Sequence, residues 1–246
     1  MHEQVLKRIL QQSEIDAVIP GSTPVISFGD FTKAKVATLG INPSSREFVN
    51  KAGLLKKKRL TDFQTLGIQI DEVLAESHAE KIMEGCNQYF HEKANPLWSW
   101  FGKNELILKG LNASYLDGSA CHLDLVQDAT KPAWSEISSS DKARVLQKDY
   151  WFFEWQVKNT SAEILLLGGR QVHDQVKTLP NVEIHYINNI SYSNGENKQT
   201  SQLFVVPTLA GKLALGWTLN IQQLRVSKEE KNRVAHELAE FVKKNS

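Results

Sequence analysis

The sequence predicts an α/β protein, a three-layer α/β/α sandwich around a mainly parallel central sheet. Three observations carry that expectation. Short apolar runs (Lys35–Ile41, Ser119–Val126, Glu163–Leu167) alternate with amphipathic stretches of helical period. The segment Ile164-Leu165-Leu166-Leu167 is apolar on both faces and ends in Gly168-Gly169, as a strand covered on both sides should. No repeat, low-complexity tract or composition shift marks a linker in the 246 residues, so a single domain over 1–246 is expected.

The elements follow in order. A short first helix places Val5, Leu6, Ile9 and Leu10 at helical spacing. Val25–Phe28 and Lys35–Ile41 read as strands bounded by Pro24, Gly29 and Pro43. Asn42 to Gly67 is polar and reads as one long loop, a length usual in functional or disordered segments. Ile68–Leu111 reads as mostly helical, broken at Asn95-Pro96. Ser119–Val126 reads as a buried central strand entering the loop Gln127–Ser139. A helix from about Asp141 to Lys158 lines up Leu146, Tyr150, Phe153 and Val157. After Glu163–Leu167, Val182–Ile190 and Gln202–Val206 read as strands joined by a turn at Ser193–Lys198. Ser227 and Glu230 form a capping box that opens a last helix carrying Val234, Leu238, Phe241 and Val242.

Composition narrows the function classes. Twenty-nine basic against 28 acidic side chains leave a net charge of +1, so nucleic-acid binding would need a local patch. Hydrophobic residues at 41% and charged residues at 23% exclude wholesale disorder. Two cysteines, Cys86 and Cys121, are too few for a disulfide framework, a zinc ribbon or a four-cysteine iron–sulfur cluster. No cofactor and no metal are therefore expected. No apolar run approaches the roughly 18–20 residues that cross a bilayer, and no basic-then-apolar leader opens the chain. The expectation is a cytoplasmic monomer without a membrane partner.

In sheets of this class ligands bind beyond the carboxyl ends of the strands, which directs attention to the loops after Ile41, Val126, Leu167 and Val206. The first reads Gly40-Ile41-Asn42-Pro43-Ser44-Ser45-Arg46-Glu47-Phe48. Gly40 permits close backbone approach, and Pro43 forces an extended conformation on Asn42, which then stands at the strand tip with an amide donor and a carbonyl acceptor. A turn-capping asparagine would satisfy the same pattern.

Gly40-Ile41-Asn42-Pro43 resembles the first motif of the uracil-DNA glycosylase superfamily. Its mismatch-specific and single-strand-selective branches carry Gly-Ile/Met-Asn-Pro-Gly, and Ser44 stands where they have the last glycine. The order of elements resembles the family from roughly Val25 to Trp217. The resemblance implies base-excision repair of DNA, in which a flipped base is hydrolysed from its sugar. It implies Asn42 as the residue positioning the attacking water, with Gly40, Ile41, Pro43 and Ser44 shaping the base site. Where the family presents a base-reading asparagine, the positional match is Asp124, with His122 beside it. An ionised aspartate only accepts hydrogen bonds, so it suits the amino group of a cytosine-like base and disfavours the O4 of uracil.

Phe48 or Phe63 is the candidate to stack on the base. The family's late His-Pro-Ser loop corresponds to Val206-Pro207-Thr208-Leu209-Ala210-Gly211-Lys212, which has no histidine, although Gly216-Trp217 matches a later feature. Lys212, or backbone amides near Gly211, would have to stabilise the leaving base instead. Lys56, Lys57, Lys58 and Arg59 form the clearest positive run and are the candidates to grip phosphates. The missing histidine and Asp124 favour an alternative, a catalytically silent nucleic-acid-binding module on the same fold. A small-molecule enzyme on a generic sheet finds no supporting fingerprint.

Overall fold

The computed structural model describes residues 1–50, 53–54, 58–91, 95–194 and 197–246. The chain packs as two compact units, one of residues 1–31, 40–97 and 122–159, the other of residues 32–39, 98–121 and 160–246.

The sheet's strands are β1 (Val36–Gly40), β4 (Ala120–Asp124), β5 (Ile164–Gly168), β6 (His185–Asn194), β7 (Asn197–Leu209) and β8 (Lys212–Trp217), in the order β4-β1-β5-β8-β7-β6. The chain is thus α/β with a six-stranded mixed sheet. The second unit carries β5 to β8 and most of β1. β1, β5 and β8 are parallel, with Val36, Ile164 and Leu213 in one row at their amino edge and Leu39, Leu167 and Gly216 in another at their carboxyl edge. Leu165, Leu166 and Leu167 are buried, as the two-sided apolar run of β5 requires. β6 and β7 form the expected hairpin and join β8 antiparallel. The helices of this unit are α4 (Trp98–Phe101), α5 (Glu105–Gly110), α7 (Arg170–Val176) and α8 (Lys228–Asn245). Ser227 Oγ accepts from the Glu230 amide at 3.2 Å to cap α8, which buries Val234, Leu238, Phe241 and Val242 as expected.

Three expectations are corrected here. Ser119–Val126 is not a central strand, because β4 lies at the edge of the sheet. Val25–Phe28 forms no strand; it gives β4 one antiparallel bridge, Phe28 to His122, and sends the Val25 amide to the Gln127 carbonyl at 2.8 Å. That segment covers the edge that a further strand would otherwise occupy. The stretch after Val206 is not a strand-end loop at the carboxyl edge. β7 continues past Pro207 through a register shift, where the missing amide of proline costs no ladder bond, and turns at Ala210 (φ 49°) and Gly211 (φ 91°). Two successive positive φ values are those of a tight hairpin turn. Since β7 runs against β8, the turn lies at the amino edge, just before the row of Val36, Ile164 and Leu213.

The first unit contains α1 (Glu3–Leu10), the 3-10 turn η1 (Ser45–Glu47), the short hairpin β2 (Val49–Asn50) with β3 (Gly53–Leu54), α2 (Phe63–Leu66), α3 (Glu76–Asn87) and α6 (Ser139–Asn159). The supposed long loop after Asn42 is therefore partly structured. Asp62 and Thr65 open α2 by capping each other's backbone amides at 2.8 and 2.7 Å. Ile15, Ala17, Val126, Ile137 and Val145 make an apolar cluster.

Beside it sits a buried ionic cluster. Arg8, fully buried, donates from Nη2 to Asp128 Oδ1 and Asp149 Oδ2, each at 2.8 Å, and from Nε to Gln127 Oε1 at 3.3 Å. Lys148 Nζ lies 2.5 Å from Asp128 Oδ2 and 2.7 Å from Asp149 Oδ1. The cluster turns α6: its buried face holds Val145, Asp149, Phe152, Phe153, Gln156 and Val157, while Leu146 and Tyr150 are only half-buried. Among the described residues no helix is long and apolar enough to cross a membrane, and no group of three or more metal-ligating side chains occurs.

Arg8→Met would leave two buried carboxylates with Lys148 as their remaining cation and should cost about 3–5 kcal/mol, measured from denaturant midpoints. Burial opposes the charge on Asp128, yet Arg8 and Lys148 outweigh it and hold its pKa below 3.8. The stability it contributes is complete above about pH 4 and is lost as pH falls through the lower folded value. The gap between wild type and Arg8→Met should accordingly narrow in acid.

Candidate functional site

Within the first unit the tips of β1 and β4 run side by side. The Leu125 amide donates to the Gly40 carbonyl at 3.2 Å and the Val126 amide to the Ile41 carbonyl at 2.9 Å. A Cβ on Gly40 would come within 2.7 Å of His122 Nε2 and closer still to Asp124 Oδ1, so glycine is what admits these two side chains. His122 and Asp124 stand two residues apart on one face of β4, with Nε2 and Oδ1 3.4 Å apart. Both are buried.

Asn42 is half-buried just beyond β1. Its Nδ2 donates to Thr130 Oγ1 at 3.0 Å, the Pro43 carbonyl at 3.2 Å and the Asp128 carbonyl at 3.4 Å. Three oxygens around one nitrogen fix which way the amide points. Among the described residues Oδ1 is left without a partner, an acceptor available to water or substrate. Ile41 and Pro43 are buried, while the exposed Ser44 accepts from the Arg46 amide at 3.3 Å and opens η1.

The structure adds Glu47, a residue that motif reading passed over. It is 2% exposed; Tyr89 Oη donates to its Oε2 at 2.7 Å, and Arg59 Nε approaches to 4.0 Å. Burial pushes the Glu47 carboxyl up to about 7. The charge of Asp124 adds to that rise, against the Tyr89 hydrogen bond and the charges of Arg59 and Arg46. The sequence held one hint, an acid set directly before Phe48-Val49 in the first motif's own segment. It held none for Tyr89 or Thr130.

Other expected site residues lie elsewhere. Phe48 and Phe63 are 3% and 4% exposed, so their rings fill the core rather than offer a stacking face. Arg59 turns inward toward Glu47, with Nη1 on the Arg46 carbonyl at 3.2 Å, and Lys58 Nζ sits 2.5 Å from Asp62 Oδ2. Both have carboxylate neighbours that a solvated basic run would lack. Lys56 and Lys57 lie outside the described residues. Gly211 and Lys212 belong to the sheet-bearing unit, in the hairpin turn at the amino edge, and Lys212 Nζ donates to the Thr160 carbonyl at 3.1 Å. No family model matches the chain, and no curated protein matches it.

The raised Glu47 has a consequence for stability. A carboxyl whose folded value stands above 4.5 binds its proton more tightly when folded. Its contribution is therefore full below the unfolded value and is lost as pH rises through about 7. The loss amounts to about 3 kcal/mol. Glu47→Gln keeps the shape and carries no charge. It should match wild type near pH 5 and exceed it by about 3 kcal/mol near pH 8, read from denaturation at the two pH values.

Proposed function

We propose that this protein is a DNA base-excision glycosylase on a uracil-DNA glycosylase-like fold. It hydrolyses the N-glycosidic bond of a flipped uracil-like or modified base, as a cytoplasmic monomer without a cofactor. The observation that carries this reading is the orientation of Asn42: its Nδ2 is held by three oxygens and its Oδ1 is open, at the strand tip beside Asp124. A water that donates to Oδ1 turns a lone pair outward, toward the anomeric carbon of a sugar whose base is bound against Asp124 and His122. As the bond to the base lengthens, positive charge grows on the sugar, and the water captures it.

One observation favours a second reading, a catalytically silent nucleic-acid-binding module. The stretch corresponding to the family's histidine loop, Val206 to Lys212, carries no histidine and forms a hairpin turn at the amino edge of the parallel strands.

Abasic-site detection on a panel of modified oligonucleotides separates the two. Asn42→Ala should lower excision by about 100-fold or more while DNA affinity changes less than about 3-fold. Asp124→Asn restores a donor and should move preference toward uracil, since two acceptors facing each other cost about 1–3 kcal/mol. An unchanged ratio of uracil to cytosine-type excision would show that Asp124 does not read the base. Wild-type protein that binds these oligonucleotides and leaves no abasic sites would establish the silent module.

DNA affinity should fall steeply with salt. Replacing Lys56 and Lys57 by alanine should flatten the slope of log K against log salt by about 0.9 per lost phosphate contact on duplex DNA. An unchanged slope would place the phosphate grip elsewhere.

A further inference from the structure

We propose that the second unit carries a reactive centre of its own: the phenol of Tyr186 is a nucleophile toward anionic phosphodiesters, His173 is its general base, and Asp174 positions the imidazole. The three side chains form one hydrogen-bonded chain. His173 Nδ1 lies 2.7 Å from Asp174 Oδ1, and its Nε2 lies 2.9 Å from Tyr186 Oη. An ionised carboxylate only accepts, so Nδ1 carries the imidazole proton, Nε2 keeps a lone pair, and the phenol donates to it. Carboxylate, imidazole and hydroxyl in this order are the arrangement that activates a nucleophile.

Burial is divided as that chemistry needs. His173 is 5% exposed, whereas Tyr186 is 50% exposed, so the base is shielded and the nucleophile's side chain reaches solvent. Phe204, paired across from Tyr186 in the β6–β7 ladder, packs edge-on against the imidazole with ring centroids 4.9 Å apart. The ladder slips between Tyr186 and Asn188, which leaves Ile187 as the extra residue of a bulge on the edge strand, with Tyr186 and Ile187 both exposed. Bulges re-aim side chains and concentrate beside reactive sites. Tyr192 on the same strand is the contrast. Its hydroxyl donates at 2.8 Å to Gln199 Oε1, an amide oxygen that makes a poor base.

Charge selects the substrate. Arg170 and Lys177, both exposed, stand three residues before and four residues after His173 along the α7 segment, a spacing that sets them beside it. Two cations against the one carboxylate of Asp174 favour an anion. In the step, Tyr186 Oη bonds to phosphorus and the phenolic proton passes to His173 Nε2. The bond from phosphorus to the leaving oxygen breaks, and its electron pair departs with that oxygen as an anion. The imidazolium, paired with Asp174, then gives its proton to water. The product is a phosphodiester of Tyr186.

The test treats the full chain with bis(para-nitrophenyl) phosphate, an anionic phosphodiester, and in parallel with para-nitrophenyl acetate, a neutral ester. Release of para-nitrophenolate gives the rate, and peptide mass spectrometry locates the adduct. The expected result is a phosphoryl adduct on Tyr186 and none on Tyr192. Tyr186→Phe should abolish it, and His173→Gln should slow it about 100-fold. Asp174→Ala should slow it about tenfold or more, with part of the rate restored in Asp174→Glu. Replacing Arg170 and Lys177 by alanine should slow the phosphodiester more than the acetate ester. No adduct on Tyr186, equal labelling of Tyr186 and Tyr192, or equal rates in wild type and His173→Gln would overturn the inference. Acylation of Tyr186 without phosphorylation would overturn its substrate class. Tyr186 and Asp174 are exposed, so their variants decide the matter where the buried His173→Gln fails to fold. None of these outcomes depends on excision of a base.

Discussion

The buried guanidinium of Arg8 ties together three segments that are far apart in sequence. It joins α1 to Asp128 in the loop after β4 and to Asp149 on α6, both at 2.8 Å, and Lys148 completes a cluster with two charges of each sign. Such a cluster gains little over an apolar core, but losing one member strands the others away from water. Its effect reaches the site through the backbone. Asp128, held by Arg8, presents the carbonyl that receives Asn42 Nδ2, and Thr130 two residues on provides the hydroxyl. Arg8 and Asn42 thus meet at one residue, Asp128, the first at its carboxylate and the second at its carbonyl.

Around Asn42 the sequence accepts local costs that a purely structural segment would avoid. Gly40 surrenders a side chain in a strand so that Asp124 and His122 can lie against its backbone. Glu47 is sealed beside another carboxylate and is relieved only partly by Tyr89 and Arg59.

The antiparallel course of β7 has a chemical consequence. It carries the turn at Ala210-Gly211 to the edge of the sheet where the parallel strands begin, whereas ligands of such sheets bind where the strands end. Lys212 donates to the Thr160 carbonyl from that edge.

Much of the fold was legible in the sequence because it is local. The two-sided apolar run of β5, the Ser227 cap of α8, the hairpin of β6 and β7, and the glycine, asparagine and proline at the tip of β1 all rest on neighbours within a few residues. What only the tertiary structure decided depends on partners remote in the chain. A central-looking β4 became an edge strand because the segment ending at Phe28 covers it. The face that α6 buries turned toward Arg8, 141 positions from Asp149. Glu47 was raised by burial, against the hydrogen bond from Tyr89, 42 positions away, and Asn42 was aimed by Thr130, 88 positions away. Local spacing determines which residues share a face, but the state of a buried polar group is set by the dielectric and the hydrogen-bond partners that long-range packing assembles around it.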